Sequence, residues 1–166
     1  MEIILAESNK WLPRLIKWVT KGDKSHCAIR YGEFDDQWLV HASAGGVQPD
    51  WWFAFEPRYT NITRFECLFP EATLALDLVV KQLAHKPYDY AGLVGQGLAI
   101  LFKLKKNPIP NAKAYRCTEL LIAFHKQANV LNSRLKLTEF DAEMTTPAGL
   151  EAYYKTRPDL FRLKKA

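Results

Sequence analysis

The chain changes character at Pro70. Upstream, apolar residues come in short runs broken by turn signals. Downstream, residues 71–86 run without proline or glycine, and Leu74, Leu76, Leu78, Val79, Val80 and Leu83 are spaced for a mostly buried helix that Pro87 ends. Strands first and helices after predict an α+β fold, a small antiparallel sheet packed against helices. At 166 residues the chain has the length of one ordinary domain, 1–166, able to bury a core without disulfide or metal staples.

Residues 25–31 and 37–42 read as two strands of a hairpin joined by the turn-rich 32–36. Alternation then places His26, Ala28 and Arg30 on one face and Cys27, Ile29 and Tyr31 on the other, so His26 and Cys27 are not expected to share a site. Residues 45–50 read as a turn, and residues 61–69, rich in β-branched and aromatic residues, as a further strand. Residues 88–92 form a loop-like entry to the apolar stretch 93–104, and 105–111 an exposed connection. Residues 115–126 have helical character with Leu120, Leu121 and Phe124 as the packing stripe, and a short helix is expected over 146–153 with Pro147 near its start.

Charge is uneven. The net value is +5, but residues 1–100 hold 10 Lys/Arg against 12 Asp/Glu while residues 101–166 hold 13 against 6. No nucleic-acid motif accompanies the excess, so a nucleic-acid partner is not expected, and the basic end with Arg162, Lys164 and Lys165 reads as solvated. The start lacks the pattern of a secretory leader and no run reaches the ~20 apolar residues of a membrane span, which predicts a cytoplasmic protein. Three cysteines without a CxxC pair give no support to a disulfide framework or zinc knuckle. A zinc site from His26, His41, Cys67 and Cys117 uses good ligand types but lacks ligand spacing, so neither metal nor organic cofactor is expected.

Cys117 stands out because its expected place, the first turn of a helix, lowers a thiol pKa and surrounds the sulfur with unpaired backbone N–H groups suited to an oxyanion. The plainer reading is a small buried residue. Cys27 and Cys67 read as core or sheet residues, and His85 and His125 as exposed or helix-capping. Trp51, Trp52, Phe53 and Phe55 read as core in preference to a substrate lip or membrane-facing patch. Tyr88 and Tyr90 are candidates to line a cleft beside Cys117.

Three phrases in this order, Ser25-His26-Cys27-Ala28-Ile29, Leu39-Val40-His41-Ala42 and Tyr115-Arg116-Cys117-Thr118-Glu119-Leu120, resemble the circularly permuted branch of the NlpC/P60 superfamily. This papain-like group includes the YiiX-type hydrolases and the lecithin retinol acyltransferase-like enzymes. Residues 88–93 resemble the loop preceding the nucleophile block in YiiX-type members. The resemblance implies a permuted papain-like fold with Cys117 as nucleophile, His26 as its base and His41 as the third, orienting residue. His at that third position matches the acyltransferase-like group, whereas YiiX-type proteins tend to carry Glu.

The activity so implied is hydrolysis or transfer at an amide or ester bond through a thioester, amidase- or peptidase-like, with a peptide, amide or lipid-ester substrate. A lipid-directed acyltransferase or phospholipase is one alternative, and a non-catalytic binding module on the same scaffold is another. Residues 93–104 followed by Lys103, Lys105 and Lys106 suit either an anionic membrane surface or a buried helix.

Overall fold

The structure is a computed structural model and describes residues 1–8, 22–31, 38–111 and 113–164. The predicted turn at 32–36 and Lys165 lie outside these residues. Six strands form one antiparallel sheet: β1 (Glu2–Ser8), β2 (His26–Tyr31), β3 (Trp38–Ser43), β4 (Gly46–Trp51), β5 (Tyr59–Cys67) and β6 (Phe161–Lys164), in the order β4-β3-β2-β1-β5-β6. Among the described residues there are five helices: α1 (Trp52–Phe55), α2 (Ala72–Leu83), α3 (Tyr90–Leu101), α4 (Cys117–Leu131) and α5 (Pro147–Thr156).

Strand alternation divides the core into two layers. On one face Ile3, Leu5, Cys27, Ile29, Val40 and Phe65 pack with Leu76 and Val79 of α2 and with Leu120, Leu121 and Phe124 of α4. On the other, Ile4, Ala28 and Leu39 meet Trp52 and Phe55. Each large side chain so buried contributes about 2 kcal/mol. Helix α4 packs on α2 and crosses β2 and β3, which brings its first turn to the sheet. β1 runs through the centre with Ile3, Ile4, Leu5 and Ala6 all fully buried, and a strand buried on both faces has no polar alternation to reveal it.

The hairpin of β2 and β3 has the predicted pairing and faces. Residues 45–50 are not simply a turn: the chain reverses between Ser43 and Gly46, and Gly46–Trp51 continues as an edge strand, where Pro49 is tolerated. Gly46 adopts φ +91°, and a Cβ there would lie 2.3 Å from the Lys86 carbonyl oxygen, so the glycine serves a close approach to the end of α2.

The basic end is likewise more than a solvated tail. It forms edge strand β6, with Phe161 buried, Arg162 bound to Glu66 at 2.7 Å and Lys164 to Glu2 at 2.9 Å. Helix α5 starts as expected, with Thr146 Oγ1 accepting from the Gly149 N–H at 3.1 Å. His85 is exposed just past α2. His125 is instead buried, 1 % exposed, because α4 is enclosed on that side by α5 and β6 aromatics.

The aromatic cluster splits by alternation around the β4–α1 junction: Trp52 and Phe55 are core, while Trp51 and Phe53 are exposed. No described helix is long and apolar enough to cross a membrane.

Candidate active site

Cys117 is the first residue of α4 and is nearly buried. The helix start is held by Arg116, whose backbone N–H donates to Glu119 Oε2 at 2.8 Å. The buried Arg116 guanidinium donates to Glu119 Oε1 at 2.8 Å, Gln96 Oε1 at 2.9 Å and the carbonyls of Ala142 at 2.7 Å and Glu143 at 3.2 Å. It therefore locks α4 to α3 and the 142–143 segment, and its charge is engaged there. The N–H groups of Cys117, Thr118 and Glu119 precede the first intrahelical bond, from Leu120 N–H to Arg116 O, and form the positive end of the helix dipole.

The sulfur sits where the sheet opens. Pairing between β2 and β3 begins at Ala28↔His41, leaving Cys27 and His26 unmatched by β3. The Cys117 thiol is held well below its usual range, first by a hydrogen bond from the Cys27 thiol, opposed by burial, then by a hydrogen bond and charge from His26 and by the Cys27 backbone N–H. Burial and the adjoining Cys117 push the Cys27 thiol well up, so Cys27 stays protonated and donates.

The expectation that His26 and Cys27 cannot share a site is thus corrected. They occupy opposite faces, but beyond Ala28↔His41, where β2 has parted from β3 while still paired to β1, the Cys117 sulfur is hydrogen-bonded to both. Replacing Cys27 with Ala should raise the Cys117 pKa, while Ser, which keeps a donor, recovers part of the effect. Thiolate absorbance against pH measures this, and an unchanged titration would make Cys27 mere packing.

His26 and His41 are diagonal neighbours on one face of the hairpin, with His26 Nε2 2.9 Å from His41 Nδ1. His41 Nε2 in turn lies 3.5 Å from Asp50 Oδ2, a long contact, and Asp50 also binds Arg58. Burial, with the charge of His26 next, pushes His41 down to about 3, so it is a neutral imidazole. One tautomer suits these contacts: His41 Nδ1 accepts from His26 Nε2–H, and the His41 proton lies on Nε2, which faces the Asp50 charge but makes no hydrogen bond among the described residues. His26 Nδ1 is then the ring atom left for the thiol.

Tyr59 stacks on His26 with ring centroids 4.8 Å apart, and Phe55 packs behind it. Burial, reinforced by Cys117, pushes Tyr59 up to about 12, and Tyr88 moves upward for the same reasons, so both phenols near the sulfur keep their protons. Tyr90 contacts Tyr88 but is half exposed on α3. A cavity of ≈ 560 Å³ beside the start of α4, reached by Asp89, Tyr115, Glu119 and Lys126, does not include Cys117, His26 or His41 in its lining.

Cys27, Tyr59 and Asp50 were missed from sequence. Reading β4 as a strand would have exposed Asp50, which shares a face with Gln48, the residue opposite His41. Tyr59 joins the site by tertiary packing alone.

These features define an α+β protein whose antiparallel sheet presents a paired histidine and a helix-borne thiol at one end. No protein-family model matches the chain, and no curated protein matches it. Among solved structures it is similar to the metalloprotein YiiX from Escherichia coli O157:H7, with a TM-score of 0.59 and 17% identity over 94% of this chain and 79% of that one. The likeness is one of fold. Among the described residues here, no group of three or more His, Cys, Asp or Glu side chains is arranged to hold a metal ion, and Cys67 stands apart at the end of β5 beside Glu66 and the N-terminus.

Proposed function

We propose that the chain is a thiol-dependent hydrolase or acyltransferase of amide or ester bonds, amidase- or peptidase-like, on a permuted papain-like scaffold. The observation that carries this reading is the placement of Cys117 at a helix N-terminus, hydrogen-bonded to His26, whose imidazole is in turn bonded to His41.

His26 Nδ1 takes the Cys117 proton, and the thiolate attacks the substrate carbonyl. The tetrahedral oxyanion is stabilised by the first-turn N–H groups of α4. His26 returns its proton to the departing amine or alcohol, leaving a thioester. Water or another acceptor, deprotonated by His26, then attacks the thioester and releases Cys117. His41 remains neutral throughout and accepts from the imidazolium, keeping its ring in register.

The test is thiol reactivity. Iodoacetamide should label Cys117 ahead of Cys27 and Cys67, both of which burial pushes upward, with a midpoint well below 9.0. His26→Ala should slow labelling near neutral pH by roughly tenfold or more. Equal labelling of the three cysteines would favour a non-catalytic binding module instead.

A further inference from the structure

Among the described residues the outer face of α3 has no partner. Tyr90, Val94, Leu98 and Leu101 recur along it at helical spacing with exposures of 49%, 52%, 37% and 53%, and Phe102 at 65% and Leu104 at 44% extend it past the helix end. Gly97 has nothing within 4 Å of where its Cβ would lie.

The opposite face is fitted too closely for the helix to roll. A Cβ at Gly95 would lie 2.0 Å from Asn107 Oδ1, and the buried Asn107 donates from Nδ2 to Gly92 O at 2.8 Å. The apolar stripe is thus held outward by packing.

Its charge is of one sign. Residues 90–118 contain no Asp or Glu, and Lys103, Lys105 and Lys106 follow the stripe directly, all exposed. Lys103 takes the left-handed conformation, φ 54°, and the Leu104 N–H returns to Ala99 O at 2.8 Å, which folds this lysine-rich segment back at the end of the helix. A second copy of the chain is a poor occupant, because apposed faces would gather lysines without acidic partners.

We infer that this face docks on an anionic lipid bilayer, with α3 lying in the interfacial plane, its apolar side chains at the headgroup boundary and the three lysines on the lipid charges. The inference stands on α3 and is independent of the thiol chemistry.

Flotation of the full chain with phosphatidylcholine vesicles, with and without phosphatidylserine, tests it. Binding is expected only with phosphatidylserine and should weaken with salt. Lys105→Glu with Lys106→Glu should lower partitioning by at least about tenfold, and Leu101→Ser with Phe102→Ser by a similar factor. Val130→Ser, which alters an apolar residue on α4 exposed by 77%, should change nothing.

Thermal melting verifies that the variants fold. Unchanged alkylation of Cys117 in them separates this surface from the catalytic reading. Absence of binding at low salt, equal binding to neutral vesicles, indifference to the variants, or a dimer dissolved by Phe102→Ser would each overturn the inference.

Discussion

Lowering the pH from about 7.5 to about 5 is expected to remove about 4 kcal/mol of folding stability through two buried histidines. His41 and His125 each fall from 6.5 to about 3 in the folded chain, both led by burial. The unfolded chain takes up a proton at each as pH drops through 6.5, while the folded chain refuses it until about 3. Stability is therefore full above that upper value, declines across the window and levels off below the lower one. At pH about 5 each histidine accounts for about 2 kcal/mol, a sizeable share of a typical domain's stability.

The surroundings decide which histidine makes the cleaner probe. His41 faces His26, Asp50 and Arg58, whereas His125 is ringed by Phe124, Phe140, Tyr153, Tyr154 and Phe161. Among the described residues the His125 ring makes one hydrogen bond, to the Tyr154 hydroxyl at 3.0 Å, and its Nδ1 has no partner. Denaturant unfolding across pH should show the decline, and His125→Phe should reduce it by about half. A flat profile from about 7.5 to about 5 would show that neither ring resists protonation. Glu119, whose carboxyl burial pushes upward, works against the decline.

The contrast between legible and illegible parts follows the same physics of burial. Local signals sufficed where one face met solvent or a cap fixed an end: the β2–β3 hairpin, α2 up to Leu83, and α5 with Pro147 in its first turn. They failed where the environment is set from afar. β1 is apolar on both faces; β4 carries glycine and proline that are compatible with an edge strand; β6 is a charged strand laddered to β5 and tied by ion pairs to Glu66 of β5 and Glu2 of β1.

At the site, helix position marked Cys117, and motif order marked His26 and His41, which the hairpin register places together. Alternation alone misled about Cys27, because it describes a regular ladder and the sulfur lies where that ladder ends. The apolar stretch 93–104 was open between membrane surface and core since its glycines face both ways: Gly95 inward, Gly97 outward.

Cys117→Ala is expected to abolish acyl-enzyme formation from an activated ester, a loss of about three orders of magnitude or more. His26→Ala should come close to that loss, since in the proposed mechanism the same ring serves as base toward sulfur, acid toward the leaving group and base toward the incoming acceptor. Burst kinetics and the mass of the trapped adduct measure both. If the pair acts as one unit, the double variant should be no worse than Cys117→Ala alone, whereas independent contributions would multiply.

Asp50→Asn discriminates further. With the carboxylate gone, His41 loses the charge that favours its Nε2 proton, and the Nδ1 acceptor required by His26 becomes one of two competing tautomers. A fall of about tenfold in acylation with unchanged thermal stability would place Asp50 as a positioning residue. Full acylation in Cys117→Ala, with adduct on another cysteine, would remove the sulfur from the chemistry altogether.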